Sequence, residues 1–168
     1  MRYVVGFQFS KEGSRVALVK KNRPACQAGL WNGIGGRVEE GQAPGDVMVS
    51  KFAKETGVAQ MGIVWQPFMT LVTRDNNLVY YYASFTDQVE LVSTATDELV
   101  SIHHVSVLPA MVDRLVSDVP WQIAMALSVG KEQSSETLGE EGRRQPSQYV
   151  VSEFPPVGLQ LVGEQREE

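Results

Sequence analysis

The residues from Gly35 to Val58 have the spacing of a loop and helix that bind phosphates and a metal ion in hydrolases. The segment begins with a Gly-Gly turn, passes Glu39 and Pro44, and ends at Gly57, a residue type that tolerates the left-handed conformation at a helix end. Side chains three and four residues apart share one helix face, so positions 51, 54 and 55 form a patch beside the Gly-Gly turn. Two of these positions hold lysine, where metal chemistry requires carboxylates.

This segment resembles the signature of the Nudix family. The signature consists of Gly, five residues, Glu, seven residues, Arg-Glu, an apolar residue, any residue, Glu-Glu, any residue, Gly and an apolar residue. It aligns without a gap, and the matching positions are Gly36, Phe52, Glu55, Gly57 and Val58. The differing positions are Gln42 for the first glutamate, Ser50 and Lys51 for Arg-Glu, and Lys54 for the first of the paired glutamates.

The resemblance extends over residues 1 to 130. Trp31-Asn32 before the signature, Thr96-Asp97-Glu98 after it, and Pro120-Trp121 further on are similar to members that hydrolyse nucleoside triphosphates. The chain therefore resembles a nucleotide pyrophosphohydrolase, or pyrophosphatase, of this family. The resemblance implies an α+β protein with the Nudix fold, an α/β/α sandwich in which a mixed β-sheet lies between helices.

The resemblance also implies a reaction, a cofactor and site residues. The reaction is hydrolysis of nucleoside diphosphate-linked compounds, with Mg²⁺ or Mn²⁺ as the cofactor if the protein is active. Such cleavage needs hard oxygen ligands around the metal ion. Glu55 and Glu98 are the implied catalytic residues. The expected metal ligands are Glu55, Glu98 and the backbone carbonyl of Gly35 if they converge, with Glu39 or Glu40 as a substitute ligand.

The lysines change what this patch is expected to do. Lys51, Lys54 and Glu55 sum to one positive charge, and protonated lysine has no lone pair for a metal. We therefore expect metal-dependent activity to be weakened or lost. Ammonium groups bind phosphate directly, so Lys51 and Lys54 are predicted to bind a nucleotide or another small phosphorylated molecule. Trp31 and Asn32 are predicted to contact its base by stacking and by hydrogen bonding.

Ordinary structural roles are open alternatives for the same residues. Lys51 and Glu55, spaced i to i+4, are placed to form an exposed helix pair worth about 0.2–0.5 kcal/mol. Trp31 and Asn32 are equally consistent with a buried indole and a turn residue. Three hypotheses of function follow: a Nudix hydrolase with an altered set of acids, a nucleotide-binding sensor without catalysis, and a scaffold that binds a protein partner.

Length and composition limit the remaining possibilities. The 168 residues suit one domain, predicted over 1–130, and a polar linker and tail over 131–168 that pack on the domain or on another chain, as in a homodimer. A net charge of −5 argues against nucleic acid or an anionic membrane as the partner. Cys26 is the single cysteine, so an intrachain disulfide is excluded. With no signal-peptide pattern and no long apolar run, a cytoplasmic location is predicted.

Two hairpins and two helices are predicted around the signature. Residues 3–9 and 16–20 flank a glycine-containing turn, and residues 62–73 and 78–85 flank Asp-Asn-Asn, which tolerates positive φ. Helices are expected at 44–56 and 120–129, each beginning at a proline, with a strand at 99–107 between them. Apolar character returns at residues 149–154, enough for a short strand.

Overall fold

The computed structural model describes residues 1–136 and 149–152, with side chains described as far as residue 130. Its centre is one eight-stranded sheet with the path β3-β2-β1-β6-β5-β8, in which β4 also pairs with β1 and β7 with β2. The β1–β6 and β5–β8 pairs are parallel and the others antiparallel, so the sheet is mixed. The strands are β1 (Arg2–Phe9), β2 (Arg15–Lys20), β3 (Trp31–Asn32), β4 (Ile34–Val38), β5 (Gln66–Val72), β6 (Leu78–Phe85), β7 (Val100–His104) and β8 (Tyr149–Ser152).

One helix packs on each face of the sheet. Helix α1 (Pro44–Thr56) buries Val47, Met48 and Phe52 against one face. Helix α2 (Val119–Glu136) buries its apolar residues against Phe7 and Phe9 on the other face. Neighbouring strand residues point to opposite faces, so β1 supplies side chains to both cores. The predicted α/β/α arrangement with a mixed sheet is confirmed.

Helix α1 has the predicted bounds because its end signals are local. Pro44 lies in the first turn, where its missing N–H costs nothing, and Gly57 ends the helix at φ 72° with its N–H donating to the Ala53 carbonyl. The second hairpin is confirmed, since β5 and β6 are antiparallel and Asn76 in the turn has φ 56°, but β5 begins at Gln66 rather than at residue 62. Local chemistry therefore fixes the element that holds positions 51, 54 and 55.

Two further predicted bounds need correction, and one element was not predicted. The predicted strand at 99–107 is shorter, β7, and is followed by a 3-10 helix, Val105–Arg114, which contains Pro109. Helix α2 continues through Glu136, so the polar composition after Val129 does not mark its end. A second 3-10 helix, Asp87–Leu91, was not predicted.

The predicted tail lies mostly outside the described residues. Its described part is the end of α2 and the short strand β8, which pairs parallel to β5 with Tyr149 opposite Met69. In the parts of the chain that the structure describes, no helix is both long and apolar enough to cross a membrane.

Candidate functional site

Gly35 and Gly36, predicted as a turn, instead lie within strand β4 and are held against β1 at very close range. Gly35 pairs with Val5 and Gly36 with Val4 in the antiparallel β4–β1 ladder. A Cβ atom at position 35 would lie 1.9 Å from the Val4 carbonyl oxygen, so glycine is required there for steric reasons. This close contact fixes the position of β4, the strand before the loop that leads into α1.

Lys51 lies directly over Gly36. A Cβ atom at position 36 would come within 2.9 Å of Lys51 Cε and 3.4 Å of its Nζ, so the absent side chain leaves the space that the lysine fills. Within the described part of the chain, neither Lys51 nor the exposed Lys54 forms a salt bridge. The helix pair between Lys51 and Glu55 is thus not formed. The Lys51 ammonium therefore lies next to Gly36 of β4, and no carboxylate of the described residues forms a salt bridge with it.

Glu55 bonds to the loop before β7 instead. Its Oε2 accepts a hydrogen bond from Thr96 Oγ1 at 2.6 Å, and its backbone carbonyl accepts one from the Ala95 N–H at 3.1 Å. The Thr96 hydroxyl also accepts a hydrogen bond from the Glu98 N–H at 3.4 Å. Thr96 therefore links the helix carboxylate to the segment that holds Glu98.

Glu98 is buried and both of its carboxylate oxygens have partners. The residue is 8% exposed. Its Oε2 lies 2.5 Å from Lys21 Nζ, and its Oε1 accepts a hydrogen bond from the Asn22 N–H at 2.7 Å. An ion pair with these additional hydrogen bonds is satisfied within the protein.

Glu39 and Gln42 belong to a separate part of the loop. The Glu39 carboxylate, 62% exposed, lies 3.5 Å from Arg37. The Glu39 N–H donates to Gln42 Oε1 at 3.0 Å, and the Gln42 N–H donates to the Glu39 carbonyl at 3.2 Å. Gln42 thus closes a turn before α1 through its hydrogen bonds with Glu39, and these bonds need no metal ion.

The donor set does not fit a tightly bound divalent ion. Among the described residues there is no group of three His, Cys, Asp or Glu side chains placed to hold one. Glu39, Glu55 and Glu98 are therefore not brought together as a three-carboxylate site. Glu55 and Glu98 are each hydrogen-bonded to protein groups, while Lys51 adds positive charge beside Gly36. Divalent ions bind hard oxygen ligands, several of them charged.

Trp31 and Asn32 form the short strand β3 and are both half-buried. The indole packs edge-on against His103 with ring centroids 4.6 Å apart. The Asn32 Oδ1 accepts a hydrogen bond from the Gly33 N–H at 2.7 Å, and its Nδ2 donates to Gln27 at 3.3 Å. In this state the amide has the local contacts of a turn residue, and Trp31 keeps part of its surface open.

Two pKa shifts occur near these elements. Burial lowers the pKa of His103 from its ordinary value of 6.5, and its Nε2 has no hydrogen-bond partner among the described residues. Burial, with smaller contributions from Tyr80 and Asp46, raises the pKa of Tyr82. Both side chains are therefore held in their neutral forms. His103 and the exposed His104 lie on one strand and have separate surroundings.

Sequence reasoning missed Lys21 and Thr96 as partners of the two carboxylates. Lys21 belongs to the basic run at residues 20–23, which has the composition of a solvated loop. Its pairing with Glu98 spans 77 positions. A lysine directly after a strand was the available signal, but nothing local shows which carboxylate it meets.

Comparisons with known proteins agree with this fold. The NUDIX domain family model matches residues 1–121. A MutT structure from Aliivibrio salmonicida or Vibrio cholerae is similar with a TM-score of 0.58 and 16% identity, over 75% of this chain and 95% of that one. The mutator MutT protein of Bacillus halodurans has a TM-score of 0.56 and 12% identity, over 94% of this chain and 93% of that one.

A third similar structure contains a ligand. It is the NUDIX domain of Shewanella oneidensis NrtR complexed with ADP ribose, with a TM-score of 0.57 and 18% identity, over 76% of this chain and 86% of that one. At these identities the likeness shows the fold. No curated protein matches the chain significantly.

Proposed function

The chain belongs to the Nudix family, and from this premise we propose that it binds a nucleotide or a related phosphorylated small molecule without a resident divalent ion, with metal-dependent hydrolysis weakened or lost. The observation that supports this most is the unneutralised Lys51 ammonium beside Gly36. A lysine ammonium is a compact charge with three donors, suited to phosphate oxygens. Lys54, exposed on the same helix, adds a second positive charge.

The state of the carboxylates supports the loss of hydrolysis. Activation of water by a metal needs an ion held in an open coordination geometry. Glu55 and Glu98, the two catalytic candidates, are hydrogen-bonded to Thr96 and to Lys21 respectively. Glu39 is paired with Arg37. A metal contact through Glu98 Oε2 requires the bond to Lys21 to be exchanged, and one through Glu55 Oε2 competes with the Thr96 hydroxyl.

Trp31 is the proposed contact for the base. It packs against the core under α2, on the face of the sheet opposite the one that α1 and Lys51 cover, so a ligand that contacts both has to pass around the edge strand β3. The open part of the half-buried indole provides a stacking surface. Asn32 contributes to base recognition if its weak 3.3 Å bond to Gln27 is exchanged for a ligand bond. ADP ribose, the ligand of the NrtR domain, is a suitable first compound to test.

The experiment measures thermal stabilisation and the release of nucleoside monophosphate, separated by chromatography, in the same samples, with a nucleotide panel that includes ADP ribose, whose cleavage at the diphosphate gives AMP and ribose 5-phosphate. Stabilisation in EDTA without release on adding Mg²⁺ or Mn²⁺ is the expected result. Release that requires the metal ion and disappears in Glu55→Gln would show instead that the altered box is a working hydrolase. Absence of any stabilisation across the panel would contradict nucleotide binding.

A restored box provides the complementary test. The combined change Gln42→Glu, Ser50→Arg, Lys51→Glu and Lys54→Glu rebuilds the signature. If the lysines are what removed hydrolysis, this variant gains metal-dependent release and loses the metal-free binding. A folded restored variant that shows no metal-dependent release with any nucleotide of the panel would refute the role given to the lysines.

A further inference from the structure

The pair between Lys21 and Glu98 is more enclosed than any other salt bridge of the described residues. The side chains are 18% and 10% exposed, whereas both members of every other pair exceed a third. The carboxylate is completed by the Asn22 N–H on its second oxygen. A carboxylate in this setting needs a positive partner, because an unpaired buried charge is costly.

Backbone hydrogen bonds hold Lys21 in place through both its N–H and its carbonyl. Its N–H donates to the Leu30 carbonyl at 2.8 Å and its carbonyl accepts from the Gly29 N–H at 2.8 Å. The preceding residue, Lys20, donates its N–H to the Leu99 carbonyl at 2.7 Å, which joins the end of β2 to the segment after Glu98. The ammonium is thus supplied by a fixed part of the chain.

We propose that Lys21 is the resident cation of Glu98, a tethered ammonium that occupies this carboxylate and excludes a divalent ion from it. The inference rests on the proposed function and explains why that function needs no metal ion. A divalent ion that binds Glu98 has to displace an ammonium at 2.5 Å that is covalently part of the protein. Lys21 is a positioning residue in this account, since it acts through Glu98.

The other nearby carboxylate does not offer an alternative site. Glu55 accepts the Thr96 hydroxyl, and Thr96 in turn accepts the Glu98 N–H. The two carboxylates are therefore bonded within one network, and Lys21 provides its cation. Removing that charge leaves Glu98 with the Asn22 N–H as its remaining described partner, in surroundings that favour an added cation.

The test measures Mn²⁺ binding by the full chain without nucleotide, from the loss of the free-ion signal in electron paramagnetic resonance. Lys21→Met keeps the length of the side chain and removes its charge. Lys20→Met is the matched control. It removes the same charge from the neighbouring residue, Lys20, whose side chain is exposed. We expect Lys21→Met to bind Mn²⁺ at least about tenfold more tightly than the unaltered chain, with Lys20→Met unchanged.

Two further variants keep the proposal open to refutation if Lys21→Met folds poorly. Lys21→Arg retains a cation and is expected to keep the weak Mn²⁺ binding of the unaltered chain. Tight binding by the unaltered chain that is lost in Glu98→Gln would overturn the proposal, as would Lys21→Met binding no more tightly than Lys20→Met. The samples contain no nucleotide, so these outcomes are independent of whether the chain binds one.

Discussion

Removing the charge of Lys21 should destabilise the fold by a measurable amount. Breaking a buried ion pair at one partner costs about 3–5 kcal/mol, because the other charge stays buried and unpaired. Glu98 retains the Asn22 N–H, and the pair is 18% and 10% exposed rather than fully buried. We therefore expect Lys21→Met to cost about 3 kcal/mol, the lower end of that range. For a chain of this size the melting temperature should fall by about 6–12 °C.

The partner variant should cost less. Glu98→Gln keeps an acceptor oxygen for the Asn22 N–H, and the flexible lysine stem can turn its ammonium toward water. In the double variant both charges are absent, so its loss should be smaller than the sum of the two single losses by at least about 1 kcal/mol. Urea unfolding followed by circular dichroism, with metal removed, gives the three free energies of unfolding.

Two outcomes would contradict the ion pair between Lys21 and Glu98. Additive losses would show that Lys21 and Glu98 do not interact in solution, whatever the size of each. A loss below about 0.5 kcal/mol for Lys21→Met would equally refute the enclosed pair, since that is the range of exposed surface pairs. Repeating the urea unfolding at high salt provides a check. The loss in Lys21→Met should change little, because a buried pair is screened much less than an exposed one.

Two predictions concern positions next to the site. Gly35→Ala should destabilise by more than about 3 kcal/mol, since its Cβ would lie 1.9 Å from the Val4 carbonyl oxygen; thermal melting checks this against Gly45→Ala, whose nearest contact at 3.9 Å leaves room. A lowered His103 pKa means that the unfolded chain takes up the proton first, so stability should fall as pH drops below about 6.5. His103→Phe should remove that fall, of less than about 1 kcal/mol at this half-buried position, in melts at pH 7.5 and 5.5; an unchanged pH dependence would contradict it.

The local parts of the fold were predictable from the sequence. Pro44 and Gly57 set both ends of α1, and the Asp-Asn-Asn turn set the second hairpin, since each signal acts within a few residues. Strand β4 is less visible because it begins Ile-Gly-Gly, and glycine disfavours strands. The glycines are explained by the close approach of Gly35 to Val4, which is a tertiary contact.

The electrostatics of the site depended on contacts that no pattern shows. The sequence shows lysines at positions 51 and 54, and helix periodicity predicted that Lys51 would lie near the Gly-Gly pair. It did not predict that Thr96 would donate a hydrogen bond to Glu55, 41 positions away, or that Lys21 would form an ion pair with Glu98. These long-range contacts form where two loops meet beside the C-terminal end of α1. Contacts between loops follow no sequence periodicity, so no local pattern predicts them.

The most direct test of metal-free binding is a calorimetric titration of ADP ribose or another stabilising nucleotide in EDTA, with Lys51→Ala and Lys11→Ala beside the unaltered chain. Lys11 is an exposed lysine in the turn after β1, and the five residues from Val4, the partner of Gly36, to the strand end at Phe9 span about 17 Å, so it is a matched control. We expect binding in EDTA that weakens about 10- to 100-fold in Lys51→Ala and is unchanged in Lys11→Ala. Binding that appears only when Mg²⁺ is added, or that Lys51→Ala leaves intact, would contradict metal-free binding of phosphate by Lys51.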